Sequence, residues 1–398
     1  MMPCTTFSKS KKISETRLAE IDRALKAHVN RGHVAGFAAM LVQHDQIIYQ
    51  AAHGVLDIET QEPMPHDAIF RIASMTKPVT SVAVMMLVEE GYFDLDTPIF
   101  TFIPAFKDAK VLVETNGTGM VLADLETEIT VRHLFTHTSG VEGYFEDEGT
   151  PIERMYYEKR TYLEKSDPPL TLSKMMEAIA SIPLACQPNT HWAYGLGLDI
   201  LAYLVELASG MPFMTYLQTR IFDPLNMVDT AYHIPPEKTH RLARVHRYSQ
   251  EKAELTRHEF AWMDVPSTPP SYVEGGNLLV STLKDYGRFA QMLLNRGELD
   301  GVRLLRPETV DLIASNHVPH HVLHNGFQDI NDGYGFGLGI RVQMSDNVTR
   351  AGSQGEYGWG GLYSTVFWVD PAQSLKWSPM SRPKIDENKN RSSQACRA

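Results

Sequence analysis

Apolar residues recur at Leu18, Ile21, Leu25 and Val29, the spacing that places side chains on one face of an α-helix. Ser14 stands ahead of them as a suitable N-cap. Residues 36–42 and 47–54 read as two strands joined by the polar turn His44-Asp45-Gln46. A strand-like run, 68–72, then gives way to a helical pattern at Val79, Val82, Ala83, Met86 and Leu87. From about 95 to 275 the pattern is mostly helix and loop. Residues 172–182 form one predicted helix, stopped by Pro183, and Leu198, Leu201, Val205 and Ala208 mark another that ends at Gly210. Residues 141–170 are polar, aromatic and proline-containing, and read as a long loop, either the rim of a site or a surface excursion. Strand character returns at 334–342 and 364–369, with the glycine-rich 352–361 between or beginning them. From 376 to 398 the chain is polar, contains Pro379 and Pro383, and follows neither apolar period. That end and residues 1–12 are expected to be disordered, the former as a sequence scar such as a changed reading frame would leave.

At 398 residues the chain is long enough for a large core or two. Its formal net charge of −11 argues against nonspecific nucleic-acid binding and against an anionic membrane surface. Three cysteines, Cys4, Cys186 and Cys396, give neither a disulfide framework nor a metal spacing. With no secretory or membrane-spanning signal in the sequence, the expected location is cytoplasmic.

The chemistry gathers at Ser74-Met75-Thr76-Lys77. At i and i+3 on a helix, the Lys77 amine can lie beside the Ser74 oxygen. A serine hydroxyl needs such a base to become a nucleophile. Placed at a helix N-terminus, it would also sit where developing negative charge is favoured. Tyr194, at the start of a later helix pattern, is a second possible base, and Trp359-Gly360-Gly361 supplies a glycine-containing strand near the C-terminus. Ser-Lys, then Tyr, then a glycine strand is the order used by penicillin-recognising serine hydrolases.

The chain resembles the family VIII carboxylesterases, esterase relatives of the class C β-lactamases. The matching segments are Phe70-Arg71-Ile72-Ala73-Ser74-Met75-Thr76-Lys77, Leu134-Phe135-Thr136-His137-Thr138-Ser139-Gly140, Trp192-Ala193-Tyr194-Gly195-Leu196, Ile221-Phe222-Asp223-Pro224-Leu225, the stretch from Gly275 to Thr282, and Gly358-Trp359-Gly360-Gly361. The resemblance implies an α/β (α+β) fold: an antiparallel sheet flanked by helices, from 13–95 and 275–371, with a mostly helical domain inserted at 96–274. It implies that Ser74, Lys77 and Tyr194 are catalytic and that the backbone N–H groups of Ser74 and Leu362 form the oxyanion hole. Lys77 and Tyr194 both stay open as the base. It also implies that Trp359, Gly360, Gly361 and Leu196 contact substrate, with no metal and no cofactor.

Two departures bear on the substrate. β-Lactamases place a cation where Trp359 stands and an Asn where Leu196 stands, to hold the lactam carboxylate and amide. An indole and an isobutyl group offer apolar wall instead, which suits a neutral small-molecule ester. The expected activity is therefore short-chain carboxylester hydrolysis through an acyl-enzyme on Ser74, with weak lactam hydrolysis allowed. Its rivals are amide chemistry (a β-lactamase or D-amino-acid peptidase), acyl transfer to an acceptor other than water, and a catalytically inactive binding domain.

Ser353, in Ala351-Gly352-Ser353-Gln354-Gly355, falls short of a nucleophile elbow, and no histidine follows it. His317, His320, His321 and His324 read as a polar loop interrupted by Pro319 rather than as a zinc site. His133 and His137 read as structural support.

Overall fold

In the computed structural model, residues 12–380 are described, apart from 117–118, 144–149, 166, 168, 259–263, 328, 330–332 and 347–351. Helix α1 (Glu15–Asn30) starts where Ser14 accepts a hydrogen bond from Arg17 N–H. It packs on the hairpin of β1 (Gly36–Gln43) and β2 (Gln46–Gly54), whose turn uses positive φ at His44 and Asp45. Strand β3 (Ile69–Arg71) leads through a 3₁₀ turn, Ala73–Met75, into α2 (Thr76–Glu89). Every residue of α2 from Thr76 to Leu87 is buried, so it is a central helix without a polar face.

The middle of the chain holds more strand than its pattern predicts. A hairpin, β4 (Lys110–Asn116) and β5 (Gly119–Asp124), precedes α3 (Val131–Phe135). A second hairpin, β6 (His246–Ser249) and β7 (Glu254–Arg257), follows the helical part. Between them lie α4 (Pro151–Glu164), α5 (Leu172–Ala180), α6 (Gly197–Ser209) and α7 (Phe213–Leu217). Helix α4 corrects the reading of 141–170 as loop. Thr150 accepts from Glu153 N–H while the Glu153 carboxylate accepts from Thr150 N–H, and Pro151 fills the first position. Helix α6 ends as expected, with Gly210 at φ 69°.

Strand β8 (Val280–Thr282) pairs with β3, and α8 (Leu283–Leu294) follows it. A short hairpin, β9 (Glu298–Leu299) and β10 (Val302–Arg303), then α9 (Pro307–Ile313) and α10 (His320–His324) lead to the last strands. His320, His321 and His324 thus lie on one short helical turn, while His317 stays in the loop before it. The reading of 334–342 as one strand divides into β11 (Tyr334–Phe336) and β12 (Arg341–Gln343), because the chain turns at Gly339 with φ 76°. Strands β13 (Tyr357–Gly360), β14 (Val366–Asp370) and β15 (Leu375–Met380) complete an antiparallel sheet of order β11-β12-β13-β14-β15-β1-β2.

Strand β15 overturns the expectation that the ordered chain stops before residue 376. It lies in the middle of the sheet, between β14 and β1, pairing Trp377 with both Trp368 and Leu41. Its pattern had hidden it: Lys376 and Ser378 are the buried residues, while Leu375 and Trp377 are half-buried. The Lys376 ammonium donates to the Gly287 carbonyl of α8. Pro379, opposite Ala39, has no N–H for the ladder. The expectations for 1–11 and 381–398 lie outside the described residues.

Candidate active site

The 3₁₀ turn presents Ser74 at the head of α2. Ala73, immediately before it, has φ 46°, a conformation that costs a non-glycine residue about 1 kcal/mol or more. Besides Ile72 N–H donating to Leu279 O at 3.0 Å, side chains hold this turn from outside. Tyr286 donates to Met75 O at 2.8 Å, Leu279 N–H donates to Thr76 Oγ1 at 3.3 Å, and Thr365 Oγ1 donates to Ile72 O at 3.3 Å.

Two groups reach the Ser74 hydroxyl. Tyr194 OH lies 2.8 Å from Ser74 Oγ and Lys77 Nζ lies 3.3 Å from it. Lys77 is 1% exposed; its Nζ donates to Gly276 O at 2.8 Å and stands 4.6 Å from the centre of the Tyr194 ring. The loop carrying Gly276 is fixed to the helices around it. Gly275 O accepts from Thr80 Oγ1 at 2.5 Å, and Gly276 N–H donates to the buried Asp199 carboxylate of α6 at 3.2 Å. Next to it, buried Glu274 pairs with Arg160 of α4 at 2.5 Å. Burial raises the Glu274 pKa against the pull of that guanidinium.

Tyr194 lies in the segment before α6, held in an aromatic cluster. Its ring centre is 4.5 Å from His137, 5.8 Å from Trp192 and 6.0 Å from Trp359, and Trp359 packs edge-on against Phe336 at 5.3 Å. Burial, and then the nearby Lys77 charge, push the His137 pKa well below its ordinary value, so the imidazole is neutral at pH 7. It accepts from Gly195 N–H at 3.4 Å. Leu196, at the N-cap of α6, packs on the core.

The glycine strand closes against the turn that carries Ser74. A Cβ on Gly361 would meet Ile72 O at 2.3 Å and Thr365 Oγ1 at 2.4 Å, so only glycine allows this approach. Gly360 differs: its nearest neighbour would be Thr365 O at 3.5 Å, an ordinary contact. Leu362 follows Gly361 directly, and Gly361 N–H donates to Thr365 O at 2.7 Å. A cavity of about 190 Å³ opens beside Ala73, lined by Tyr232, Val265, Pro266, Tyr272, Leu279 and Tyr363.

The structure therefore brings Ser74, Lys77, Tyr194, Trp359 and Gly361 together. It adds Asp199, Glu274 and Arg160 behind the lysine, which no local motif had marked. Ser353 stands apart, donating to Asp370 at 2.8 Å. No group of three or more His, Cys, Asp or Glu residues suited to a metal ion occurs among the described residues, and no single helix among them is long and apolar enough to cross a membrane.

Residues 21–381 match the Beta-lactamase family. Esterase EstB of Burkholderia gladioli is 29% identical over 376 residues, covering 90% of this chain and 88% of that protein. Acyltransferase calJ of Penicillium decumbens is 28% identical over 331 residues, covering 77% and 74%. Among solved structures, "EstCE1, a hydrolase with promiscuous acyltransferase activity" superposes with a TM-score of 0.76 at 23% identity, covering 93% and 94%. This chain belongs to the beta-lactamase family and is an enzyme of the serine-hydrolase type.

Proposed function

We propose that the chain is a carboxylesterase acting through an acyl-enzyme on Ser74. The observation that carries this is the Ser74 hydroxyl held between Tyr194 OH and Lys77 Nζ, at 2.8 and 3.3 Å. The Ser74 oxygen attacks the ester carbonyl, and its proton passes to the Lys77–Tyr194 pair. The tetrahedral oxyanion takes hydrogen bonds from Ser74 and Leu362 N–H. Collapse expels the alkoxide, which regains the proton from the same pair. Water then attacks the acyl-enzyme by the reverse roles. The aromatic wall at Trp359, 6.0 Å from the Tyr194 ring, favours a neutral ester over a charged lactam. The small cavity beside Ala73 lies below the roughly 300–1,000 Å³ of a drug-sized ligand pocket and suits a short acyl chain.

An alcohol in place of water would make the same intermediate an acyl donor, a reading that the similarity to acyltransferase calJ favours. Hydrolysis of p-nitrophenyl butyrate and of a chromogenic cephalosporin is to be compared for wild type and Ser74→Ala, with and without an added alcohol. Fast ester cleavage, abolished by the substitution, with slow lactam cleavage is expected. Dominant lactam cleavage would refute the substrate argument, and a fully active Ser74→Ala would refute the mechanism. New ester formed with the alcohol at the expense of free acid would move the assignment to acyl transfer.

A further inference from the structure

A second cavity, of about 230 Å³, neighbours the one beside Ala73, and Arg71 and Tyr363 line both. Its floor is apolar, with Val34, Leu56, Phe70 and Leu362. Three arginines, Arg71, Arg244 and Arg247, line it together with His33, His246 and His258, and among the described residues no Asp or Glu does. In a chain of net charge −11, that is a local reversal of the molecule's own field.

The nearby carboxylates are themselves paired. Asp57 stands 3.6 Å from His246 and 3.4 Å from Arg257, and Glu59 pairs with Arg257 at 2.9 Å. Arg71 donates to Ala243 O at 3.2 Å. Arg244 is anchored through its backbone, donating to Leu56 O at 3.0 Å, while its exposed guanidinium has no protein partner among the described residues.

We propose that this cavity binds a small anionic amphiphile: a carboxylate or phosphate head on a short apolar body, with the head on Arg244 and the body against Leu56, Phe70 and Leu362. Guanidinium groups match the geometry of both heads, and the cavity volume limits the body to a short chain. One wall is the turn carrying Leu362, so the ligand would lie directly behind the strand end that faces Ser74. The proposal does not depend on the esterase reading.

Binding is measured by calorimetry and thermal shift on Ser74→Ala protein, which separates it from turnover, using hexyl phosphate, hexanoate and hexanol. Binding of either anion but not of hexanol is expected. Hexanoate alone would identify a carboxylate site, and hexyl phosphate alone a phosphate-monoester site. Adding the surface substitution Arg244→Glu should weaken the bound anion by about tenfold or more, with the melting temperature of the free protein unchanged. Failure of both anions to bind, equal binding of hexanol, or binding indifferent to Arg244→Glu and Arg247→Glu would overturn the proposal.

Discussion

Lys376 is a lysine in the middle of a sheet, and replacing it with methionine should make the protein more stable. Its side chain is 4% exposed under α8. Burial, with a smaller push from Arg288 and an opposing pull from Asp45, lowers its pKa from 10.5 to about 7. At 1.36 kcal/mol per unit, that shift corresponds to a penalty of about 5 kcal/mol on the protonated form, beyond the stabilisation already supplied by its bond to Gly287 O. The sign follows from proton counting. Between pH 7 and 10.5 the unfolded chain binds more protons than the folded one, so stability rises with pH across that window. Below about pH 7 both states are protonated and the full penalty applies. Wild type should therefore gain about 3 kcal/mol from this group between pH 7 and 9.5. Lys376→Met preserves length and packing, and should be about 2–4 kcal/mol more stable at pH 7, an advantage that shrinks towards zero as the pH rises. Urea unfolding followed by tryptophan fluorescence at both pH values measures this. A variant no more stable than wild type at pH 7, or an advantage independent of pH, would refute the reasoning.

Tyr194→Phe keeps the ring in its aromatic cluster and removes the oxygen beside Ser74; kcat should fall about 10²–10⁴-fold with the melting temperature unchanged, measured by steady-state ester hydrolysis. Glu142, half-buried near Glu153 and accepting a bond from Thr150, has its pKa raised from 4.5 to about 7, chiefly by desolvation. The folded state therefore holds its proton more tightly, and stability is lost as pH rises from 4.5 through 7. Glu142→Gln should match wild type in denaturant titrations at pH 4.5 and exceed it by up to about 3 kcal/mol at pH 8. Gly361→Ala should lower stability by about 1–3 kcal/mol and abolish most activity, whereas Gly360→Ala should fold with a native melting temperature; thermal denaturation and kcat/KM distinguish the two.

The sequence carried the elements whose local chemistry agrees with their surroundings. α1, the β1–β2 hairpin, α2 and α6 declare themselves through caps, turns and apolar spacing, and Ser74, Lys77 and Tyr194 through their order along the chain. Helix α4 was also legible, since Thr150-Pro151-Ile152-Glu153 is a capping box with proline at the first position, but the prolines and aromatics around it suggested a loop. Strand β15 was not legible: with lysine and serine inward and tryptophan half-buried, its alternation runs against the sheet that holds it. Hairpin β4–β5 exposes Val113, Met120, Val121 and Leu122, so its apolar residues mark no inner face. His137, Asp199 and Glu274 act on the site only through neighbours that the fold brings to them, and no spacing along the chain encodes that.

The Ser74 hydroxyl meets Lys77 from its own turn but Tyr194 from 120 residues away, and Lys77 in turn is held by a carbonyl 199 residues on. Chain closures of that span form late and open only when the intervening core gives way. The helix that follows Ser74 is buried on every side from Thr76 to Leu87 and has little freedom to fray by itself. Turnover in this enzyme is thus a report on global cooperativity. Under rising denaturant, ester hydrolysis and core fluorescence should be lost along one curve, and an inactive yet compact species would reveal that the two halves of the chain part company before either one unfolds.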